Sequence, residues 1–429
     1  MKEKIFVLCI SVLLVSLTGA FANPFPTDGE YGIVIEGYDW GPAVSKVILS
    51  LDEPATSVNW RDYKVMVHRS SDCSTIPASQ VLGSRSVITG YASDAAGKRK
   101  VEGNHVTLVL AVAPNLPIGS PIQYSGAEGC RGNQWINYEM TVRDEAKGMI
   151  WNKEVNRIMP IIDRFDLSGR YSDENGISMS YASYSPPEVD GKAPLIIWLH
   201  GGGEGGVDPS IPLIANRAAN YASDEIQAIF GGAYVLVPQS PTRWMDSGEG
   251  TTSGRVDDIY FKAVKALIDE FMADHPNVDP DRIYVGGCSN GGYLTIKLLI
   301  EYPEYFAAAF PSALAYWNEF LTDEQVDRIK DIPIWFLHSK DDTVTAADET
   351  VVPVYKRLMK AGAPNVHFTY YDNVVDITGF FGGEGYHYPG HWSWIYGHAN
   401  VARHDFDGSL VKVDGRAVTI MEWMAAQSK

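Results

Sequence analysis

Residues 286–292 read Gly-Gly-Cys-Ser-Asn-Gly-Gly, directly after the apolar run 283–285 and directly before a helical pattern that begins at Tyr293. A chain passes from a buried strand into a helix within so few residues only where the flanking side chains are small, and Gly287-x-Ser289-x-Gly291 provides that. Such a bend lifts the Ser289 hydroxyl out of the sheet as a candidate nucleophile. The competing reading is a glycine-rich turn whose serine merely caps the following helix. Both readings need strand–helix surroundings, and the second half of the chain has that pattern. Apolar runs at 195–199, 234–237, 283–285 and 334–337 alternate with expected helices at 256–272, 293–301, 322–330 and 351–360. In the first of these helices Ile259, Ala263, Ala266, Leu267 and Phe271 recur at helical spacing. Strands that are apolar throughout, alternating with amphipathic helices, predict a mostly parallel sheet covered on both faces.

The first half follows another pattern. Runs such as 32–35, 64–67 and 106–110 are short, rich in Val and Ile, and separated by clusters of Pro, Gly, Ser and Asp. No amphipathic helix of useful length lies among them, so residues 23–144 are expected to form an antiparallel β-sandwich. Residues 145–165 read as a linker or short helix, and 166–429 as the α/β domain. At the N-terminus Lys2 and Lys4 precede an apolar run at 5–17 and then Ala20-Phe21-Ala22, the pattern of an export signal over 1–22. That run is shorter than the ~20 apolar residues a membrane span needs. Export places Cys73, Cys130 and Cys288 in an oxidising setting, where Cys73 and Cys130 are able to pair and Cys288 is left over. The net charge of −18, from 35 Lys+Arg against 53 Asp+Glu, repels phosphate backbones and anionic lipid headgroups. Neither nucleic acid nor, after signal cleavage, a membrane is an expected partner.

A nucleophilic serine needs oxyanion donors, a base and a carboxylate. His200-Gly201-Gly202-Gly203-Glu204-Gly205-Gly206 follows the 195–199 strand, and its glycines leave backbone N–H groups unobstructed. The N–H groups near Gly202 and of Asn290 are the expected oxyanion hole. The same letters match a dinucleotide fingerprint, but no strand ending in an acidic residue follows about 20 positions on. Of His387, His391, His398 and His404, His391 is the expected base, because Gly390-His391-Trp392 sets it after a glycine-rich loop. Asp341 and Asp342 both follow the 334–337 strand and are both candidates for the acid. The irregular histidine spacings argue against a metal site, and no metal or organic cofactor is implied. Glycine-rich loop, Ser, Asp, His is the chain order of α/β-hydrolases.

On these residues the sequence resembles secreted bacterial esterases of the dienelactone hydrolase, polyhydroxybutyrate depolymerase and prolyl-oligopeptidase-like group, some of which carry an N-terminal immunoglobulin-like domain. The resemblance covers roughly residues 162–423 and rests on five segments. They are His200 to Glu204, Pro238-Gln239-Ser240-Pro241 with Trp244, Gly287 to Gly291, Asp341-Asp342-Thr343-Val344, and Gly390-His391-Trp392. It implies an α/β-hydrolase fold behind an immunoglobulin-like sandwich, and a triad of Ser289, His391 and Asp341, the first Asp of an Asp-x-Thr-Val run. It further implies that Trp244 lines the acyl or alcohol pocket, with Trp392 and Gly203 beside the substrate. His338-Ser339 departs from the group's more familiar His-Gly. The Asp405-Phe406-Asp407-Gly408 turn is expected to be an ordinary loop.

The expected activity is that of an exported serine ester hydrolase acting on a small-molecule or polymer ester: short-chain, cinnamoyl or aromatic polyester. A peptidase on the same triad is the alternative within enzymes, since the fold does not separate ester from amide cleavage. A non-catalytic polymer-binding protein is the alternative from another class. The β-sandwich is expected to supply no chemistry, and a chain beginning near Met149 to keep its reactivity toward a small phosphonate.

Overall fold

The computed structural model describes residues 29–127, 129–187, 189, 191–252 and 257–429. The expected signal, 1–22, lies outside the described residues. The first half forms two sheets of five and four strands plus a two-stranded hairpin, Ile122–Ser125 with Gly132–Trp135. Tyr63–Ser70 and Asn137–Asp144 show why the sheets face each other: their residues alternate between buried and exposed, so each strand gives one apolar face to the interior. Val65, Val67, Tyr138, Met140 and Val142 meet Ile33, Val44, Val47 and Leu108 of the other sheet in one core. Arg85 ties the layers together, donating to the Tyr138 hydroxyl at 2.6 Å and to the Val44 carbonyl at 2.9 Å.

The 145–165 segment differs from the linker or short helix expected of it. Met149–Trp151 and Lys153–Ile158 are strands, and the second runs parallel to Glu30–Tyr38 at the edge of the five-stranded sheet. The sandwich is therefore not antiparallel throughout. Trp151 is buried and its indole donates to the Ser50 carbonyl at 2.8 Å, which anchors this segment to the sandwich core.

The second half is an eight-stranded sheet. We number its strands β1 (Asp166–Ser172), β2 (Ser178–Tyr184), β3 (Ala193–Leu199), β4 (Tyr234–Gln239), β5 (Val278–Cys288), β6 (Ala308–Ser312), β7 (Ile334–Ser339) and β8 (Val366–Tyr371). Their spatial order is 1-2-4-3-5-6-7-8; β2 runs antiparallel to both of its neighbours, β1 and β4, and every other neighbouring pair is parallel. Strands β3, β4, β6 and β7 are buried along their whole length, as a sheet covered on both faces requires. The helices Phe261–Asp274, Asn290–Glu301, Asp323–Ile329 and Val351–Lys360 fall where the periodicity places them. The C-terminal ends of β3, β5 and β7 lie side by side in this order, or one strand apart. The loops that leave them therefore meet over one edge of the sheet, where open α/β sheets build their sites.

Candidate active site

Ser289 sits between β5 and the Asn290–Glu301 helix with φ 54° and ψ −111°, a conformation that side-chain-bearing residues rarely adopt. The sequence permits it because Gly287 and Gly291 pass close to neighbouring backbone. A Cβ on Gly291 would stand 1.9 Å from the Leu199 carbonyl oxygen, and one on Gly287 2.6 Å from the Gly291 carbonyl carbon. The bend that exposes Ser289 is thus fixed by two glycines packed against β3, which is the strand-turn-helix reading and not that of a simple cap.

His391 lies in the short turn Gly390–Trp392, and its Nδ1 is 2.9 Å from Oδ2 of Asp342. This corrects the choice of acid. Asp341 is exposed and accepts a hydrogen bond from the Ser339 hydroxyl, whereas Asp342 is buried and directed at the imidazole. The register follows from the turn after β7. Asp342 Oδ1 accepts the N–H groups of Val344 at 2.8 Å and Thr345 at 3.0 Å, so its side chain folds inward while that of Asp341 points out. Asp342 Oδ2 also accepts the Thr345 hydroxyl at 2.8 Å and lies 3.0 Å from His338 Nε2. Burial opposes ionisation of this carboxyl, yet hydrogen bonds from His338 and His391 outweigh it and hold the group far below the usual carboxylate range. With Nδ1 engaged, Nε2 is the nitrogen of His391 left for proton transfer. Gly390 is needed because a Cβ there would collide with Asp341 at 2.3 Å.

Ser289, His391, Trp392, Gly202, Gly203 and Asn290 all line one cleft of about 940 Å³. Among the described residues, the N–H groups of Gly202 and Asn290 donate to no other backbone carbonyl. Trp244 does not line this cleft. It is fully buried behind the glycine loop, its ring tilted against that of His200 with centroids 4.7 Å apart, and it donates to the His200 carbonyl at 3.1 Å. His200 is itself buried, its pKa lowered to about 4, so it is neutral and serves as an acceptor for the Ser240 N–H at 3.2 Å. The Trp244 ring therefore braces the loop from behind instead of forming a pocket wall; Met245, the next residue, reaches the cleft.

The glycine loop is held from a second side that the sequence did not reveal. Glu204 is buried, and its two carboxylate oxygens accept the amides of Asn133 and Asn216, each at 2.8 Å. Burial raises the Glu204 pKa, and these two hydrogen bonds oppose the rise. The Asn133 N–H also donates to the Gly203 carbonyl at 2.6 Å, and Gly132 packs so closely that a Cβ would lie 2.5 Å from the same oxygen. Both residues belong to the hairpin of the first half, which is tethered by a disulfide between Cys73 and Cys130. Cys288 is free and buried.

Residues 30–152 match a family model described as the esterase Ig-like N-terminal domain, and residues 242–331, which include the serine turn, match the prolyl oligopeptidase family. A crystal structure of a thermostable esterase superposes with a TM-score of 0.73 at 25% identity, covering 93% of this chain and 99% of its own. The chain is an esterase-type α/β-hydrolase with an immunoglobulin-like N-terminal domain. It is also similar to poly(3-hydroxyalkanoate) depolymerase C of Paucimonas lemoignei, 28% identical over 138 residues, which are 30% of this chain and 29% of that protein. A third likeness, "Probable carboxylesterase SOBER1-like" of Arabidopsis thaliana, is 29% identical over 167 residues, 34% of this chain and 60% of that one. The chain thus spans under a third of the first curated relative's length and under two thirds of the second's.

The immunoglobulin-like domain does more for the hydrolase site than the change of sequence pattern implied. It contributes Trp40, Tyr124, Arg131 and Asn133 to the cleft lining, and it pins the glycine loop that carries Gly202, an expected oxyanion donor. A chain beginning near Met149 loses that wall and leaves Glu204 buried without one of its two amide donors. We therefore expect the truncated chain to lose phosphonate reactivity, contrary to what the sequence alone suggested. Within the full chain, Asn133→Ala should lower kcat/KM for a short ester roughly tenfold, mainly through kcat, since a buried carboxylate left short of a partner costs about 1–3 kcal/mol. Steady-state kinetics alongside a thermal melt will separate this from global unfolding; an unaltered kcat in the alanine variant would mean that Asn216 alone holds the loop.

Proposed function

We propose that this hydrolase is a carboxylesterase that works through Ser289, His391 and Asp342 by way of an acyl-enzyme. The 2.9 Å contact between His391 Nδ1 and Asp342 Oδ2, in the cleft that exposes Ser289, is the observation that carries the reading. In it, His391 Nε2 takes the Ser289 proton as the serine oxygen attacks the ester carbonyl. The N–H groups of Gly202 and Asn290 then hold the oxyanion, and His391 returns the proton to the leaving alkoxide. Asp342 keeps the imidazole in the tautomer this requires and stabilises it when charged. Water then attacks the acyl-enzyme by the same route and frees the acid. Ser289 and His391 make no hydrogen bond to each other in this structure, and such contacts tighten when substrate fills the site.

A cleft of about 940 Å³ with Trp40, Tyr124, Trp317, Phe320, Trp392 and Trp394 in its lining suits an aryl or oligomeric ester better than an acetyl ester alone. The match of residues 242–331 to the prolyl oligopeptidase family favours amide cleavage as a second reading. Treating the purified chain with a fluorophosphonate and locating the label, then comparing aryl esters, a polyester film and blocked peptides, decides between them. Label on Ser289 with ester turnover supports the proposal; peptide turnover far above ester turnover transfers it to the second reading. We also propose that the chain is exported, a reading supported by the Cys73–Cys130 disulfide. The intact mass of protein recovered from the source cells should then correspond to a chain starting at Asn23, and a mass that retains Met1 would refute it.

A further inference from the structure

Beyond the triad, the cleft contains a charged group that the mechanism does not use. Arg243 lies in the loop that follows β4, between Thr242 and the buried Trp244, and it lines the cleft together with Met245. It is half-buried, and among the described residues it has neither a hydrogen bond nor an ion pair. The other charges in the lining are mostly spent. Asp39 is paired with Arg217, Glu204 is held by two amides, and Arg69 donates to Gln80 and Gln123 and to the Ile122 carbonyl. Among the described residues, what is left uncompensated is Arg243, the exposed Arg131 of the immunoglobulin-like domain, and Glu319, also exposed. A net positive cleft in a chain of charge −18 runs against the field of the whole molecule. A guanidinium kept without a partner in the cleft that contains Ser289 has its donors free for a planar anion, which it binds in a two-pronged contact.

We propose that Arg243 binds a carboxylate of the substrate, and that the preferred substrates are esters that carry a free carboxylate away from the scissile bond, such as monoesters of dicarboxylic acids. This rests on the esterase reading of the site and adds the substrate class to it. Arg131 strengthens the same field from the immunoglobulin-like domain.

The test uses the full chain and two 4-nitrophenyl esters of adipic acid, one with the far carboxyl free and one with it methylated. The readout is the ratio of their kcat/KM values, in which any general loss of activity cancels. The free acid should be preferred about tenfold, the size of one well-placed charged contact. Arg243→Gln should remove most of that preference through KM, and Arg243→Lys should restore part of it. Arg61→Gln removes the same charge from an exposed residue that does not line the cleft, and should leave the ratio as in the parent chain. Raising the salt should shrink the ratio in the parent and not in Arg243→Gln. A parent ratio near one, or a ratio that survives Arg243→Gln, overturns the anion subsite while leaving the esterase reading intact. If neither ester is hydrolysed and Ser289 takes no phosphonate, the esterase reading falls and the subsite falls with it.

Discussion

Ser289→Ala should lower kcat for a short aryl ester by about 10⁶, to the residual rate that oxyanion donors and binding sustain without a nucleophile. Alanine adopts the same strained backbone at φ 54° no worse than serine does, and Ser289 makes its backbone hydrogen bond, to the Ser312 carbonyl at 2.9 Å, through its N–H. The variant should therefore melt within a few degrees of the parent, so that loss of turnover reports the missing oxygen and not a lost fold. Steady-state kinetics and circular dichroism on the same preparation check both halves. Turnover within a hundredfold of the parent, or phosphonate label on another serine, would return the glycine-rich turn to the role of a mere helix cap.

The second large effect separates two adjacent aspartates. Asp342→Asn should cost about 10⁴ in kcat, while Asp341→Asn should stay within a few-fold of the parent. Asparagine at 342 can keep its carbonyl oxygen on the Val344 and Thr345 N–H groups, so the turn survives. Its amide then faces Nδ1 of His391 and Nε2 of His338, two positions where the native carboxylate accepts. A donor in that place forces His391 into the other tautomer, with its proton on the nitrogen that must act as base. Among the described residues, Asp341 has only the Ser339 hydroxyl as a hydrogen-bond partner to lose. The same carboxylate governs acid stability. Its folded pKa lies below the unfolded one, so the stability it contributes is present above about pH 4 and is lost as the pH falls further. Urea melts at several pH values should show a weaker acid dependence in Asp342→Asn than in Asp341→Asn.

The neighbouring aspartates also mark where sequence reading stops. The α/β half was legible because its strands are apolar over their full width, and because Gly287 and Gly291 admit one backbone path. His391 could be picked by what flanks it. Choosing between Asp341 and Asp342 needed the direction of a side chain in a four-residue turn, which depends on which carboxylate caps the Val344 and Thr345 N–H groups; a motif register does not record that. Trp244 was misplaced for a related reason. Its neighbours in sequence mark it as part of the site, but whether a loop residue faces the cleft or the core is decided by the path of the chain after β4 and by the buried His200 ring, which Trp244 meets. The strands at 149–151 and 153–158 were missed because a short edge strand has little hydrophobic signal of its own. The clamp from Asn133 to Glu204 was beyond reach, since it joins residues 71 apart through contacts that no local pattern encodes.

The way the cleft is shared between the two domains separates what can change from what cannot. Asn133 and Gly132 are committed, because moving them disturbs the glycine loop that carries Gly202, the proposed oxyanion donor. Pro117, Tyr124 and Arg131 line the same cavity, and among the described residues none of them hydrogen-bonds to Ser289, His391 or Asp342. Lengthening, shortening or recharging the segments around them alters how much substrate fits and what sign of charge it carries, with the nucleophile, base and acid undisturbed on their strand ends. A chain built this way acquires a new diet by revising a module that performs none of the digestion.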